Sequence, residues 1–274
     1  MKKAGVIILF NPNIKEIRKN ILSYVAFLDK LYVIDNSSVS NEKDVVDISS
    51  KIQYVANLEN QGISIVLNVA ASKAIEENYD ILLTMDQDSF FPEFMIRKYV
   101  NFVDELDWSN TSLIGASPKS NIDNQIIHSD TTLTSAELLI TSGSFINLKL
   151  FNIIGGFNEK LFIDCVDYDY CLRSIIKGYS VGIASNIIFL HVGGEPRKFM
   201  GKKVAIYSPD RYYYIFRNHI FLWFKYIKYF PKLIVKNIIV NILISLLPNI
   251  ILSKSKIKFI SSLVRAVKDA PSIF

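Results

Sequence analysis

Apolar runs and polar breaks alternate along the first two-thirds of the chain. Ala4–Phe10 is an apolar run of strand length, stopped by Asn11-Pro12-Asn13. Ile14–Leu28 follows, with Ile17, Ile21 and Val25 at helical spacing. Leu31–Ile34 reads as a second strand closed by Asp35-Asn36-Ser37-Ser38, and Ile52–Ala56 as a third. After Asn60-Gln61-Gly62 the pattern predicts a helix over Ile63–Glu77, a strand over Ile81–Thr84, and a helix over Phe94–Leu106. Strands are further expected at Ser112–Ser117 and Leu138–Ser144, with β structure across Gln125–Leu133. A helix carries Leu172, Ile175 and Ile176, and two short strands, Ser180–Ala184 and Ile187–Leu190, lead to His191. Strands alternating with helices imply an α/β fold with a mostly parallel central sheet flanked by helices.

In such sheets ligand groups gather beyond the carboxyl ends of the strands. Here those ends carry Asn11, Asp35, Asn60, Gly62 and the pair Asp86 and Asp88. Two hard oxygen donors two residues apart at a strand end suit Mg²⁺ or Mn²⁺ carrying a diphosphate. No GxGxxG follows the first strand and no GxxxxGK[ST] occurs, which argues against a dinucleotide dehydrogenase and a P-loop NTPase. Each carboxylate also has a plain structural reading. Asp35 can be a turn former, Asp164, Asp167 and Asp169 can cap a helix, and His191 can be a packing residue. Asp167 falls near a helix start, where the dipole favours the ionised form.

At 274 residues with half of them hydrophobic, the chain can build a sizeable core. Cys165 and Cys171 lack metal-type spacing, and two cysteines alone fit a reducing compartment. The first apolar run is too short for a signal peptide and reads as a strand. The net charge of +5 hides an asymmetry: residues 197–274 hold 15 Lys and Arg against 2 Asp and Glu, the remainder 16 against 24. A tail both basic and apolar fits an anionic membrane surface better than nucleic acid, though Arg211-Tyr212-Tyr213-Tyr214 lends the latter some aromatic-basic character. Lys225, Lys228, Lys232 and Lys236 recur at helical spacing among aromatic residues of interface type. Asn237–Ser253 is free of charge but falls short of a bilayer span. Pro231 is expected to split the tail helices. A homodimer through this face is the alternative.

Several short stretches occur together and in order. They are Phe10-Asn11-Pro12, Val33-Ile34-Asp35-Asn36-Ser37-Ser38, Asn60-Gln61-Gly62-Ile63-Ser64, and Thr84-Met85-Asp86-Gln87-Asp88-Ser89. Further on come Ile140-Thr141-Ser142-Gly143-Ser144, Gly155-Gly156-Phe157-Asn158-Glu159, Leu161-Phe162-Ile163-Asp164-Cys165-Val166-Asp167, His191-Val192-Gly193-Gly194 and Tyr213-Tyr214-Ile215-Phe216-Arg217-Asn218. This set resembles the family-2, inverting, GT-A-type glycosyltransferases over roughly residues 4–220, with a likeness to the bacterial branch that uses dTDP-L-rhamnose. The resemblance implies a Rossmann-like GT-A domain over 1–220 and a C-terminal helical appendage over 221–274. It implies that Asp35 accepts from a pyrimidine N3–H, that Asn11, Asn60 and Gly62 line the nucleoside, and that Asp86 meets the ribose or sugar. Asp88 and His191 would hold the metal. Asp167 would be the general base, with Asp164 as competitor because many relatives carry Glu-Asp where this chain has Val166-Asp167. Arg217 would clamp the diphosphate or tether the C-terminal segment. The donor implied is dTDP-rhamnose, with a UDP-hexose as alternative. The acceptor implied is a saccharide or lipid-linked oligosaccharide at the cytoplasmic membrane face. A sugar-nucleotide binding protein without catalysis is the non-enzymatic alternative.

Overall fold

Seven-residue strand β1 (Lys3–Leu9) is the axis of the larger of two compact units in the computed structural model, which describes residues 1–119, 130–191 and 195–274. That unit comprises residues 1–157 and 170–192. β1 pairs in parallel with β2 (Lys30–Asp35) on one side and β4 (Ile81–Asp86) on the other, and β2 pairs in parallel with β3 (Ile52–Ala56). The register sets Leu9 opposite Asp35 and Ile8 opposite Asp86, so the polar strand ends share one edge. Past β4 the sheet continues through β8 (Ser144–Asn147), antiparallel to both β4 and β6 (Thr111–Lys119), and then β9 (Ser180–His191), parallel to β6. β5 (Ser89–Phe90) and β7 (Leu133–Ser135) each pair antiparallel with β9. The strand order is β3-β2-β1-β4-β8-β6-β9-β5.

The helices between these strands are α1 (Ile14–Leu22), the short α2 (Glu42–Val45), α3 (Ile63–Glu76), α4 (Glu93–Glu105), α5 (Leu148–Ile154) and α6 (Val166–Ile176). Asn13 caps α1 by accepting from Lys15 N–H. Ile17 and Ile21 of α1, Ile7 of β1, Val33 of β2, Leu83 of β4 and Phe145 of β8 meet in one buried cluster with Tyr99 of α4. Each such side chain contributes about 1.5–3 kcal/mol by leaving water.

The expected α/β pattern holds, with three local differences. The helix expected to Leu28 stops at Leu22 and passes into a 3₁₀ turn over Val25–Phe27. The two strands expected before His191 are one, which tolerates Asn186 at φ 62° through an irregular register against β6. Leu138–Ser144 is not a strand. Gly143 takes φ +74°, Ser144 N–H bonds back to Thr141, and the strand starts only at Ser144. The β structure expected over Gln125–Leu133 lies mostly outside the described residues, as does His128.

The second unit comprises residues 158–169 and 193–274. It holds the hairpin β10 (Glu195–Phe199) and β11 (Lys202–Ile206), then α7 (Pro209–Tyr226), α8 (Pro231–Leu233), a π-helical stretch (Ile234–Ile239), α9 (Val240–Leu252) and α10 (Lys256–Asp269). The expected break at Pro231 is present. Ser208 caps α7 by accepting from Arg211 N–H, and Pro209 occupies the first turn. The expected boundary at 220/221 falls inside α7. Asn249 of α9 is 1% exposed. Its Oδ1 accepts from Tyr207 N–H and its Nδ2 donates to Ala205 and Ser245 carbonyls, which fastens α9 to β11. Tyr212 packs tilted against Phe259 with ring centres 4.8 Å apart and shares a hydrogen bond with Ser245.

Candidate active site

In the larger unit, Asp86 ends β4, Asp88 lies in the turn before β5, and His191 ends β9. β5 pairs with β9 so that Ser89 lies opposite His191. One ligand atom from each of Asp86, Asp88 and His191 lies within 4.8 Å of the others. His191 Nδ1 is 3.3 Å from Asp88 Oδ1 and 2.9 Å from Ser89 Oγ. The hydrogen bond to Asp88 raises the imidazole pKa, with the charges of Asp88 and Asp86 adding and burial opposing. The cluster rests on a buried hydroxyl chain. Ser89 Oγ is 2.7 Å from Ser142 Oγ, and Ser142 accepts from Asp86 N–H. Gln87, between the two acids, is turned the other way: its side chain bonds both Phe10 N–H and the Phe10 carbonyl, and Asn20 Nδ2 donates to its carbonyl. Anchoring the middle residue directs both neighbouring carboxylates to the same side. Two carboxylates and an imidazole this close fit a divalent cation such as Mg²⁺ or Mn²⁺.

The nucleoside-side residues divide into open and closed. Asn11 is exposed at φ 47°, with its N–H bonded to Ser37 Oγ. Asn60 is exposed, and its Oδ1 accepts from Gly62 N–H. Gly62 at φ +81° starts α3, and its carbonyl accepts from Asn36 Nδ2. Asp35, expected to accept from a pyrimidine N3–H, is enclosed by hydrogen-bond donors of its own chain. It is 0% exposed, and both oxygens already accept: Ser37 N–H at Oδ1, and Asn41 N–H, Asn41 Nδ2 and the Tyr54 hydroxyl at Oδ2. Burial works to raise its pKa, but the hydrogen bonds of Ser37, Tyr54 and Asn41 outweigh it and hold the carboxyl below 3.8.

In the second unit, the backbone from Phe162 to Cys165 takes three left-handed conformations, at Phe162 (φ 63°), Asp164 (φ 66°) and Cys165 (φ 63°). Non-glycine residues reach that region only when neighbours hold them there. Asn218 Nδ2 does so through the carbonyls of Leu161, Ile163 and Asp164, and Phe162 stacks on Tyr214. Arg217 belongs to the same brace and not to an open phosphate clamp. It is 9% exposed, Nη2 donates to the Lys160 and Leu161 carbonyls, and the guanidinium lies over Tyr213 and Tyr214. This is the tethering alternative, made through backbone carbonyls.

The three acids of this stretch have separate surroundings. Asp164 is ion-paired with Arg211: Nη2 donates to Oδ1 at 2.8 Å, and Nε stands 2.7 Å from Oδ2 without making a hydrogen bond. Burial nevertheless raises its pKa against that pull. Asp169 is 0% exposed, 2.9 Å from Lys225 Nζ and 2.6 Å from the Tyr226 hydroxyl. Asp167 is half-buried in the first turn of α6, where Oδ1 accepts from Tyr168 N–H. Cys165 Sγ lies 3.4 Å from His219 Nδ1. Burial pushes the thiol pKa up and the imidazole pKa down, so both stay neutral. The residues that sequence reasoning passed over are Ser142, Ser89, Tyr54 and Asn41. Ser89 and Ser142 lay inside stretches that carry the resemblance, whereas Tyr54 and Asn41 had no local signal.

The family model described as Glycosyl transferase family 2 matches residues 6–160. A curated relative, dTDP-rhamnosyl transferase RfbF of Shigella flexneri, is 27% identical over 279 residues, covering 97% of this chain and 94% of its own. Among solved structures, GalNAc-T7 with UDP, GalNAc and Mn²⁺ aligns at TM-score 0.61 and 11% identity over 81% of this chain and 47% of its own. S. aureus TarS aligns at TM-score 0.58 and 15% identity over 100% of this chain and 49% of its own. TarS 1-349 in complex with UDP-GlcNAc aligns at TM-score 0.56 and 15% identity, over 100% of this chain and 81% of its own. The chain thus spans about half the length of GalNAc-T7 and of the longer TarS structure. At these identities the likeness is one of fold.

Proposed function

We propose, for a chain that belongs to glycosyl transferase family 2, transfer of L-rhamnose from dTDP-L-rhamnose to a hydroxyl of a cell-surface polysaccharide or lipid-linked oligosaccharide, with inversion at the anomeric carbon. The observation that carries this reading is the clustering of Asp86, Asp88 and His191 at the strand ends. The donor follows from the alignment of nearly the whole chain with a dTDP-rhamnosyl transferase.

Asp86, Asp88 and His191 would hold the divalent cation, and the Ser142–Ser89 hydroxyl chain keeps His191 and the Asp86 backbone in place. A cation bound there supplies charge compensation for a departing nucleoside diphosphate. Asn11, Asn60 and Gly62 offer the open polar edge for the nucleoside. Asp167 takes the acceptor hydroxyl's proton while the acceptor oxygen bonds to the anomeric carbon and the bond from that carbon to the diphosphate oxygen breaks. Asp164 is the weaker choice because Arg211 is paired with it and donates a hydrogen bond to Oδ1. In this reading the second unit lies on the inner face of the cytoplasmic membrane. Its basic excess supports that, and among the described residues no helix is long and apolar enough to cross a membrane. Asp88→Ala is expected to abolish turnover and to remove Mn²⁺ binding measured by calorimetry. Full activity of that variant, or of the wild type in excess EDTA, contradicts the proposal.

A further inference from the structure

A cavity of about 690 Å³ lies within the second unit, between the start of α7 and the turn that joins α9 to α10. Four cations line it: Arg197, Lys254, Lys258 and Arg265. Among the described residues, Asp210 is the single acid in its lining; its side chain is 90% exposed and stands 3.9 Å from Arg265. Among the described residues, Lys254 and Lys258 have no acidic partner. The Arg265 guanidinium is held over the Tyr213 ring at 4.2 Å, which fixes one cation at the wall. Between the cations stand hydroxyls, Ser208, Ser255 and Ser262 among them. Lys254 and Lys258, with hydroxyl donors beside them, form a receptor for phosphate oxygens.

What borders the cavity says which phosphate. Lys258, Ser262 and Arg265 occupy one face of α10, at the spacing of successive turns. The adjoining face bears Ile257, Ile260, Val264 and Val267, exposed by 83%, 53%, 66% and 55%. The third face packs Phe259 and Ala266 inward. A helix with a buried face, an apolar outer face and a basic edge is built to lie in a membrane interface. α9 continues the apolar surface with Leu243, Ile244 and Leu247, each more than half exposed. Lys225, which the tail pattern grouped with the headgroup lysines, is instead committed to Asp169.

We infer that this cavity binds the phosphate headgroup of an anionic bilayer lipid while the outer face of α10 enters the acyl boundary beside it. The inference rests on the membrane-facing reading of this unit and gives that contact a discrete site. A free anion is the competing occupant.

Vesicle co-sedimentation at low salt tests it. The protein is expected on mixed phosphatidylcholine–phosphatidylglycerol vesicles and not on phosphatidylcholine alone. Lys254→Gln with Lys258→Gln should weaken binding roughly 30-fold, with an unchanged circular-dichroism melt because both residues are exposed. Ile257→Asp with Val264→Asp should also release it. Lys228→Gln with Lys232→Gln, exposed lysines outside the cavity, should cost clearly less. Equal loss in the two lysine pairs means diffuse attraction and overturns the site. Wild-type binding by the Lys254 and Lys258 variant overturns it as well. Saturable binding of inorganic pyrophosphate without vesicle binding assigns the cavity to a free anion and removes the lipid. Donor hydrolysis is measured on the same samples, so loss of vesicle binding with intact hydrolysis separates this site from the transferase reading.

Discussion

Two carboxylates in the second unit, Asp164 and Asp167, compete for one chemical role, and their surroundings separate them. Asp167→Asn is expected to preserve donor affinity and lower transfer by roughly 10²–10⁴-fold, the usual share of general base catalysis. Asp164→Asn leaves Arg211 without its charged partner, so its first effect should be on stability, by about 1–3 kcal/mol in a denaturation midpoint. If Asp164→Asn keeps its stability and loses only transfer, the roles are reversed. Asp35 allows a pH test. Its folded pKa lies below 3.8, so its ionised form contributes stability that is present above that pH and lost as pH falls through the folded value. The stability gap between wild type and Asp35→Asn, read by urea denaturation, should therefore be full at pH 7 and shrink below about pH 3.8. An equal gap at pH 7 and pH 3 contradicts the hydrogen-bonded anion. Asp86 and Asp88 were legible in the sequence because a strand end followed by Asp-x-Asp is a local signal. The partners of Asp35 and Arg217 were not, because Tyr54 and the Lys160 carbonyl reach them only through the folded chain.

At the scale of elements, the cluster of Asp86, Asp88 and His191 depends on a turn that reads locally as a strand. Leu138-Leu139-Ile140-Thr141 has strand composition, yet Gly143 at φ +74° reverses the chain and brings Ser142 beneath Asp86 and Ser89. Its N–H donates to the Thr84 carbonyl, and its own carbonyl accepts from Ala116 N–H and the Tyr99 hydroxyl. A Cβ on Gly143 would stand 2.6 Å from the Phe189 ring. Gly143→Ala is therefore expected to cost about 1–3 kcal/mol through backbone strain and overpacking and to weaken Mn²⁺ binding with it. An unchanged melting temperature contradicts the role given to this turn. The β1–α1–β2 and α3–β4 stretches were readable because each apolar period sits between plain breakers. The antiparallel insertion of β8 was not, since its pairing with β4 and β6 is decided by long-range register.

At the scale of the whole molecule, the α/β fold, the family-2 membership and the basic tail are consistent with one task, moving a sugar from a nucleotide to an acceptor. The 220/221 division implied by the resemblance falls within α7, which runs unbroken from Pro209 to Tyr226. Charge composition is local to the sequence, but the bracing of residues 158–169 by Arg211, Arg217 and Asn218 is not. The central claim concerns the donor, and one assay addresses it. Purified full-length protein is incubated with dTDP-L-rhamnose, UDP-glucose, UDP-N-acetylglucosamine or GDP-mannose, with Mg²⁺ or Mn²⁺, and release of the nucleoside diphosphate is followed with Asp88→Ala as control. Metal-dependent release of dTDP, exceeding release from every other donor and absent in the control, is the predicted result. Faster turnover of a UDP- or GDP-sugar than of dTDP-L-rhamnose would contradict it.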